Sequence, residues 1–149
     1  PDGSHLPGGD MKPLYVNYKG VAPEGDAVLE RPEDVDTVFD GVRAEVADAG
    51  ALLMMIGFVD DPDNGSLLQV GINGDKGLLT YDGEDQPDGL ISYAGKDIGG
   101  AVYYSFQGTK AEFPASAEVP FDVMKRAVKE FLETGGALPT VVEWRPDVD

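Results

Sequence analysis

The unbroken apolar run from Ala51 to Val59 constrains the fold more than any other segment. It is short for a helix and flanked by Gly50 and an acidic turn, so it reads as a strand buried on both faces. A series of further strands comes after it. Asp61-Pro62-Asp63-Asn64-Gly65 is a strong turn signal. Leu68, Val70 and Ile72 then alternate with Leu67, Gln69 and Gly71. Asn73-Gly74-Asp75 predicts a hairpin into Leu78-Leu79-Thr80-Tyr81. A second acidic turn, Asp82 to Gly89, leads to Leu90-Ile91-Ser92-Tyr93, and Gly99-Gly100 precedes the aromatic strand Ala101 to Phe106. Phe113 to Val119 reads as one more extended piece, with Pro114 arguing against it.

Two amphipathic segments flank this series. Pro32 opens the first, where its missing N–H costs nothing, and Glu33, Asp34 and Asp36 place negative charge at the positive end of the helix dipole. Val35, Val38, Phe39, Val42, Val46 and Ala49 share one face at helical spacing, and Gly50 is the expected stop. The second helix runs from Phe121 to Thr134, with Val123, Met124, Ala127, Val128, Phe131 and Leu132 on its apolar face. Gly135 is its cap and Pro139 blocks continuation. Leu14 to Tyr18 precedes the first helix as a strand, Gly20 to Glu30 reads as a loop, and Thr140 to Trp144 ends the chain as a strand. The order predicts an α+β fold: a largely antiparallel sheet of about six to seven strands, with two helices packed on one face.

The chain has 149 residues, which suits one domain with one core. Residues 1–10 read as a disordered tail, in which Gly3-Ser4-His5 resembles an expression-vector remnant, and 11–149 as the domain, with Met11 as its start. Cysteine is absent and His5 is the sole histidine. Thiolate nucleophiles and cysteine metal sites therefore have no residues to use, and with His5 read as part of the vector remnant, neither do histidine bases, triads or histidine-ligated zinc. No apolar stretch approaches the ~20 residues of a membrane span. Twenty-eight acids against eleven bases give a net charge of −17. Nucleic acid and anionic membranes are poor direct partners for such a surface, whereas a basic protein is a good one. The acids concentrate between Asp60 and Asp88, where Asp60, Asp61, Asp63, Asp75, Asp82, Glu84, Asp85 and Asp88 face the single base Lys76.

Local motifs add no catalysis. Asp60-Asp61-Pro62-Asp63-Asn64-Gly65 resembles the start of a calcium loop, but Pro62 takes a ligand position and Gly71 stands where a bidentate glutamate is required. It reads as an acidic turn, and no metal or cofactor is expected. Asn73-Gly74-Asp75-Lys76-Gly77 lacks the phosphate-loop pattern. Tyr103, Tyr104 and Phe106 divide between the two faces of one strand, one face toward the core and the other available as an aromatic contact surface. Trp144, the only tryptophan, either lids the core at the last strand or anchors a partner.

The C-terminal module carries a family resemblance. Glu130-Phe131-Leu132-Glu133-Thr134-Gly135, then Leu138-Pro139, then Val142-Glu143-Trp144 resembles the first-numbered (Imm-one type) immunity-protein family of bacterial polymorphic toxin systems. The upstream Met55-Ile56-Gly57, Leu68-Gln69-Val70-Gly71 and Gly77-Leu78-Leu79-Thr80-Tyr81 are similar too, so the likeness spans Leu14 to Trp144. It implies a cytoplasmic antitoxin without catalytic residues that binds a cognate toxin domain, often a nucleic-acid deaminase or nuclease. The partner-contact residues expected on these grounds are Asp60, Asp61, Asp63, Asp82, Glu84, Asp85 and Asp88, with Tyr104, Glu143 and Trp144 as further anchors. A regulatory adaptor with another basic partner, and a small enzyme working with carboxylates, are the alternative readings. Oligomeric state is not fixed by the sequence.

Overall fold

A computed structural model describes residues 13–17, 27–47, 50–58, 66–83, 86–106 and 109–146. Its elements run β1 (Leu14–Asn17), β2 (Ala27–Leu29), α1 (Pro32–Glu45), β3 (Leu52–Phe58), β4 (Leu67–Asn73), β5 (Lys76–Gly83) and β6 (Gln86–Tyr93). They continue as β7 (Ala101–Phe106), β8 (Thr109–Pro114), one 3-10 turn (Ala115–Ala117), β9 (Val119–Pro120), α2 (Phe121–Glu133) and β10 (Glu143–Pro146). The class is α+β as expected, but the sheet has ten strands rather than six or seven. The additional strands are short or local. β2 occupies three residues of the expected loop, β8 ends at Pro114 so that the piece expected extended over Phe113 to Val119 is broken by the 3-10 turn, and β9 has two residues.

The main path of the sheet is β10-β6-β5-β4-β3-β1-β2, and every pair along it is antiparallel. The apolar run that became β3 therefore lies inside the sheet, between β4 and β1. Asn73 faces Lys76 across a two-residue turn, with Gly74 at φ +65 supplying the left-handed conformation that the tight hairpin needs. β9 continues the edge of β5 that β6 occupies further along. Ser92 joins the two neighbours: it accepts the Leu79 N–H at 3.0 Å and donates to the Ala117 carbonyl at 2.7 Å, so a buried hydroxyl replaces missing ladder bonds.

Both helices cover one face. Val35, Phe39 and Val42 of α1 and Met124, Val128, Phe131 and Leu132 of α2 pack against Leu14, Val16, Met54, Ile56, Val70 and Leu79. Fully burying each of these large side chains is worth about 1.5–3 kcal/mol. α1 ends at Glu45, short of Gly50, with the Val46 N–H bonded to the Val42 carbonyl. Lys125 bridges Asp40 (2.9 Å) and Asp36 (3.2 Å), and Lys129 reaches Asp36 at 2.8 Å, tying α2 to α1 above the sheet.

The opposite face is covered by the β7–β8 hairpin. β7 meets the start of β3 in a single parallel pair, Leu52 with Ser105. Val102, Tyr104, Phe106, Ala111 and Phe113 of the hairpin form a second, smaller core with Leu53, Leu78, Ile91 and Ala117. This accounts for the continuous apolar character of β3: Met54 and Ile56 serve the helix side while Leu53 serves the hairpin side.

Candidate partner-binding surface

The C-terminal module is a structural closure built residue by residue. α2 ends in a Schellman arrangement, with the Gly136 N–H on the Phe131 carbonyl at 3.0 Å and the Gly135 N–H on Leu132 at 3.4 Å. Gly135 has φ +71 and Gly136 φ +102. A Cβ on Gly136 would stand 2.9 Å from Phe58 Cε2, so glycine is required there twice over, for its dihedral and for its contact. The Gly136 carbonyl accepts the buried Tyr81 hydroxyl at 2.8 Å. The Glu130 carboxylate accepts both the Thr140 N–H and its hydroxyl, each at 2.8 Å. Thr140 is thereby held to the helix rather than to a strand, and β10 begins at Glu143, later than the sequence suggests. Trp144 turns toward the helix side. Its Nε1 donates to the Pro139 carbonyl at 2.8 Å and its ring meets Tyr81 at 6.2 Å. Of the two roles open to it, the geometry is that of a partly buried lid.

Glu143 faces the other way, opposite Tyr93 in the β6–β10 ladder, and is exposed. Beside it Arg145 stacks on the Tyr93 ring at 3.5 Å and pairs with Asp97 at 3.0 Å, while Asp97 also accepts the Tyr93 hydroxyl. Desolvation and that hydrogen bond raise the Tyr93 pKa.

Tyr104 lies inside the hairpin core with no exposed area. Its ring covers Gly71, where an added Cβ would come within 2.5 Å. Its hydroxyl donates to Glu118 Oε2 at 2.7 Å, and Asn73 Nδ2 donates to the same oxygen at 2.8 Å. Burial, and then Glu118, push the phenol far above its ordinary pKa. The Tyr104 side chain is therefore committed to the core, and the exposed aromatic of this strand is its neighbour Tyr103, at 52%. Strand alternation separates the two residues, but it does not say which side the hairpin turns inward. Both tyrosines border a groove of about 370 Å³ with Gly50, Ala51, Ser105, Thr109 and Lys110.

Of the expected acidic contacts, Asp82 is exposed on β5. Asp60, Asp61, Asp63, Glu84 and Asp85 lie outside the described residues, as does the side chain of Asp88. The strand ends flanking these acids are described. β3 ends and β4 begins at the same end of the sheet where β5 ends and β6 begins, with Leu67 opposite Asp82 and Gly83 opposite Gln86. Among the described residues no group of acidic side chains could hold a metal ion. The carboxylates of Asp34 and Asp36 both have a lowered pKa. The backbone N–H groups of Glu30 and Arg31 hold Asp34, and Lys129 and Lys125 hold Asp36.

Comparison with known proteins gives the family. No curated protein matches the chain. A crystal structure of a hypothetical protein from Neisseria gonorrhoeae is similar in fold, with a TM-score of 0.50 at 11% identity, over 91% of this chain and 95% of that one. The family model for the immunity protein Imm1 matches residues 24–146, from before β2 through β10. The match includes the whole closure from Glu130 to Trp144, and on this ground the chain belongs to the Imm1 family of immunity proteins.

Proposed function

We propose that this protein is the cytoplasmic antitoxin of a polymorphic toxin system, and that it acts by binding and blocking a basic, nucleic-acid-targeting toxin domain, a deaminase or a nuclease. The family match over residues 24–146 carries the reading. The net charge of −17 supports the character of the partner. A toxin that grips phosphate must be basic, and an acidic inhibitor is steered to such a surface, with association approaching ~10⁸–10⁹ M⁻¹s⁻¹ at low salt.

Inhibition in this reading is steric and electrostatic, with no chemistry by the immunity protein itself. The downward displacement of Asp34 and Asp36 is that of ion-paired and capping carboxylates, not of a general acid kept protonated. The test is growth rescue. The toxin domain encoded beside this protein is expressed from a tight promoter with and without it, and the purified pair is titrated by calorimetry at low and high salt. Rescue with tight, salt-sensitive binding is the expected result. Absence of both rescue and binding would reduce the family match to a match of fold and favour the adaptor reading instead.

A further inference from the structure

The hairpin covers only part of the second sheet face. Beyond it a transverse row crosses five strands: Val28 opposite Tyr15, Tyr15 opposite Gly57, and Leu67 opposite Asp82. The Ile56–Leu68 pairing sets Gly57 beside Leu67 and closes the row. At about 4.8 Å between strands, it is roughly 20 Å long. Val28 is 47% exposed, Asp82 is exposed, and Tyr15 and Leu67 are half-buried. The Tyr15 ring lies across Gly57, where a Cβ would come within 2.9 Å of its hydroxyl oxygen. The aromatic thus lies down on the sheet and leaves the surface flat enough for another protein to seat on.

A further observation gives this face a direction. The charge on it is one-sided. On β1 to β5 the only base is Lys76, at the far end of β5 from Asp82. The sequence between β3 and β4 and between β5 and β6 carries Asp60, Asp61, Asp63, Glu84 and Asp85, against Arg31 just after β2 at the same end.

We infer that this open half-face of the sheet is the toxin-docking surface. The toxin places an apolar side chain on the Val28–Tyr15–Leu67 row and a lysine or arginine against Asp82. An apolar centre with a charged rim is the anatomy of a specific interface, and complementary charge at the rim fixes register. On the helix face, by contrast, Lys125 and Lys129 pair with Asp36 and Asp40. The inference rests on the immunity reading and narrows it to one surface.

The test uses the full chain and the purified, catalytically inactivated toxin domain encoded beside it. Val28→Arg and Leu67→Arg together place like charge and bulk on the row, and binding is followed by interferometry against wild type. The expected result is an affinity at least about thirtyfold weaker, mostly through faster dissociation, with circular dichroism unchanged. Tyr103→Ala, on the hairpin, stays within about twofold. Should the double variant fail to fold, Val28→Arg alone, at an exposed edge position, makes the same measurement. Wild-type affinity in the folded row variant, or a loss of affinity in Tyr103→Ala instead, overturns the assignment of this face while leaving immunity intact. If wild type itself does not bind, the immunity reading and this inference fall together.

Discussion

At the scale of single residues, several positions in the C-terminal module that carries the family resemblance have roles in folding. Trp144 donates to Pro139 and lies against Tyr81, and Tyr81 donates to Gly136. Trp144→Phe keeps an aromatic ring but leaves the Pro139 carbonyl without its donor. The expected loss is about 1 kcal/mol of stability in a denaturant titration, with toxin affinity changed less than about threefold. A large loss of affinity at unchanged stability would instead make Trp144 a contact. Gly136→Ala is costlier, above about 2 kcal/mol, since the new Cβ meets Phe58 at 2.9 Å and the backbone sits at φ +102. The sequence makes these residues conspicuous without giving their roles. The reason is physical: Trp144 turns inward or outward according to which face of β10 the helices cover, and that depends on pairing with β6, which is distant in the chain. The same holds for Tyr103 and Tyr104. Their alternation is local, but the side that is buried is decided by contacts with Gly71 and Glu118.

At the scale of elements, α1 is legible because its start signals are local. Asp34 accepts the Glu30 and Arg31 N–H groups at 2.9 and 3.0 Å, so a single carboxylate satisfies two donors ahead of the first turn. Asp34→Ala is expected to cost roughly 0.5–2 kcal/mol. The pairing of α1 with α2 is not local, and neither is its dependence on pH. Lys129, then Lys125, hold the Asp36 pKa below its ordinary value. Partial burial works against the charge of Lys125, but Asp40 and Asp36 more than offset it and its pKa rises. Since the folded pKa of Asp36 lies below the unfolded one, its stabilisation is complete above the unfolded value of about 4 and is lost as pH falls through the folded value. The Asp36 side chain is 44% exposed, so solvent limits the contribution to a few tenths up to about 1 kcal/mol. Asp36→Asn should therefore unfold at lower denaturant than wild type at pH 7, and the gap between the two midpoints should narrow as pH falls below the unfolded value of about 4. A gap that does not narrow as the pH is lowered would show that the amide disturbs packing rather than charge. β2 and β9 escape a sequence reading for another reason. Strands of three and two residues carry no period, and they form only because a neighbouring strand offers an unpaired edge.

At the scale of the whole molecule, the two-faced burial of β3 was legible in its unbroken apolar run, but the cover of the second face was not. The covering hairpin approaches from a segment some fifty residues away in sequence and meets β3 in a single parallel pair. The charge asymmetry, by contrast, needs no structure to be read, and it makes a kinetic prediction. Lys125, Lys129 and Arg145 pair with Asp36, Asp40 and Asp97, while the sequence between β3 and β6 carries seven acids against one base and is an acid-rich source of the field that steers a partner. Replacing Asp60, Asp61 and Asp63 with lysine should slow toxin association by about tenfold in low salt and flatten its dependence on ionic strength. Screening shortens the Debye length from about 10 Å at 0.1 M salt to about 3 Å at 1 M, so the two proteins should converge as salt approaches about 1 M. Dissociation should change much less than association, because steering by exposed charge acts on encounter and the apolar row acts on residence. Stopped-flow association rates at several salt concentrations, set beside dissociation rates for Val28→Arg, separate the two contributions. Identical association rates for the triple variant and wild type at every salt concentration would remove these acids from the encounter surface and leave the half-face to act alone.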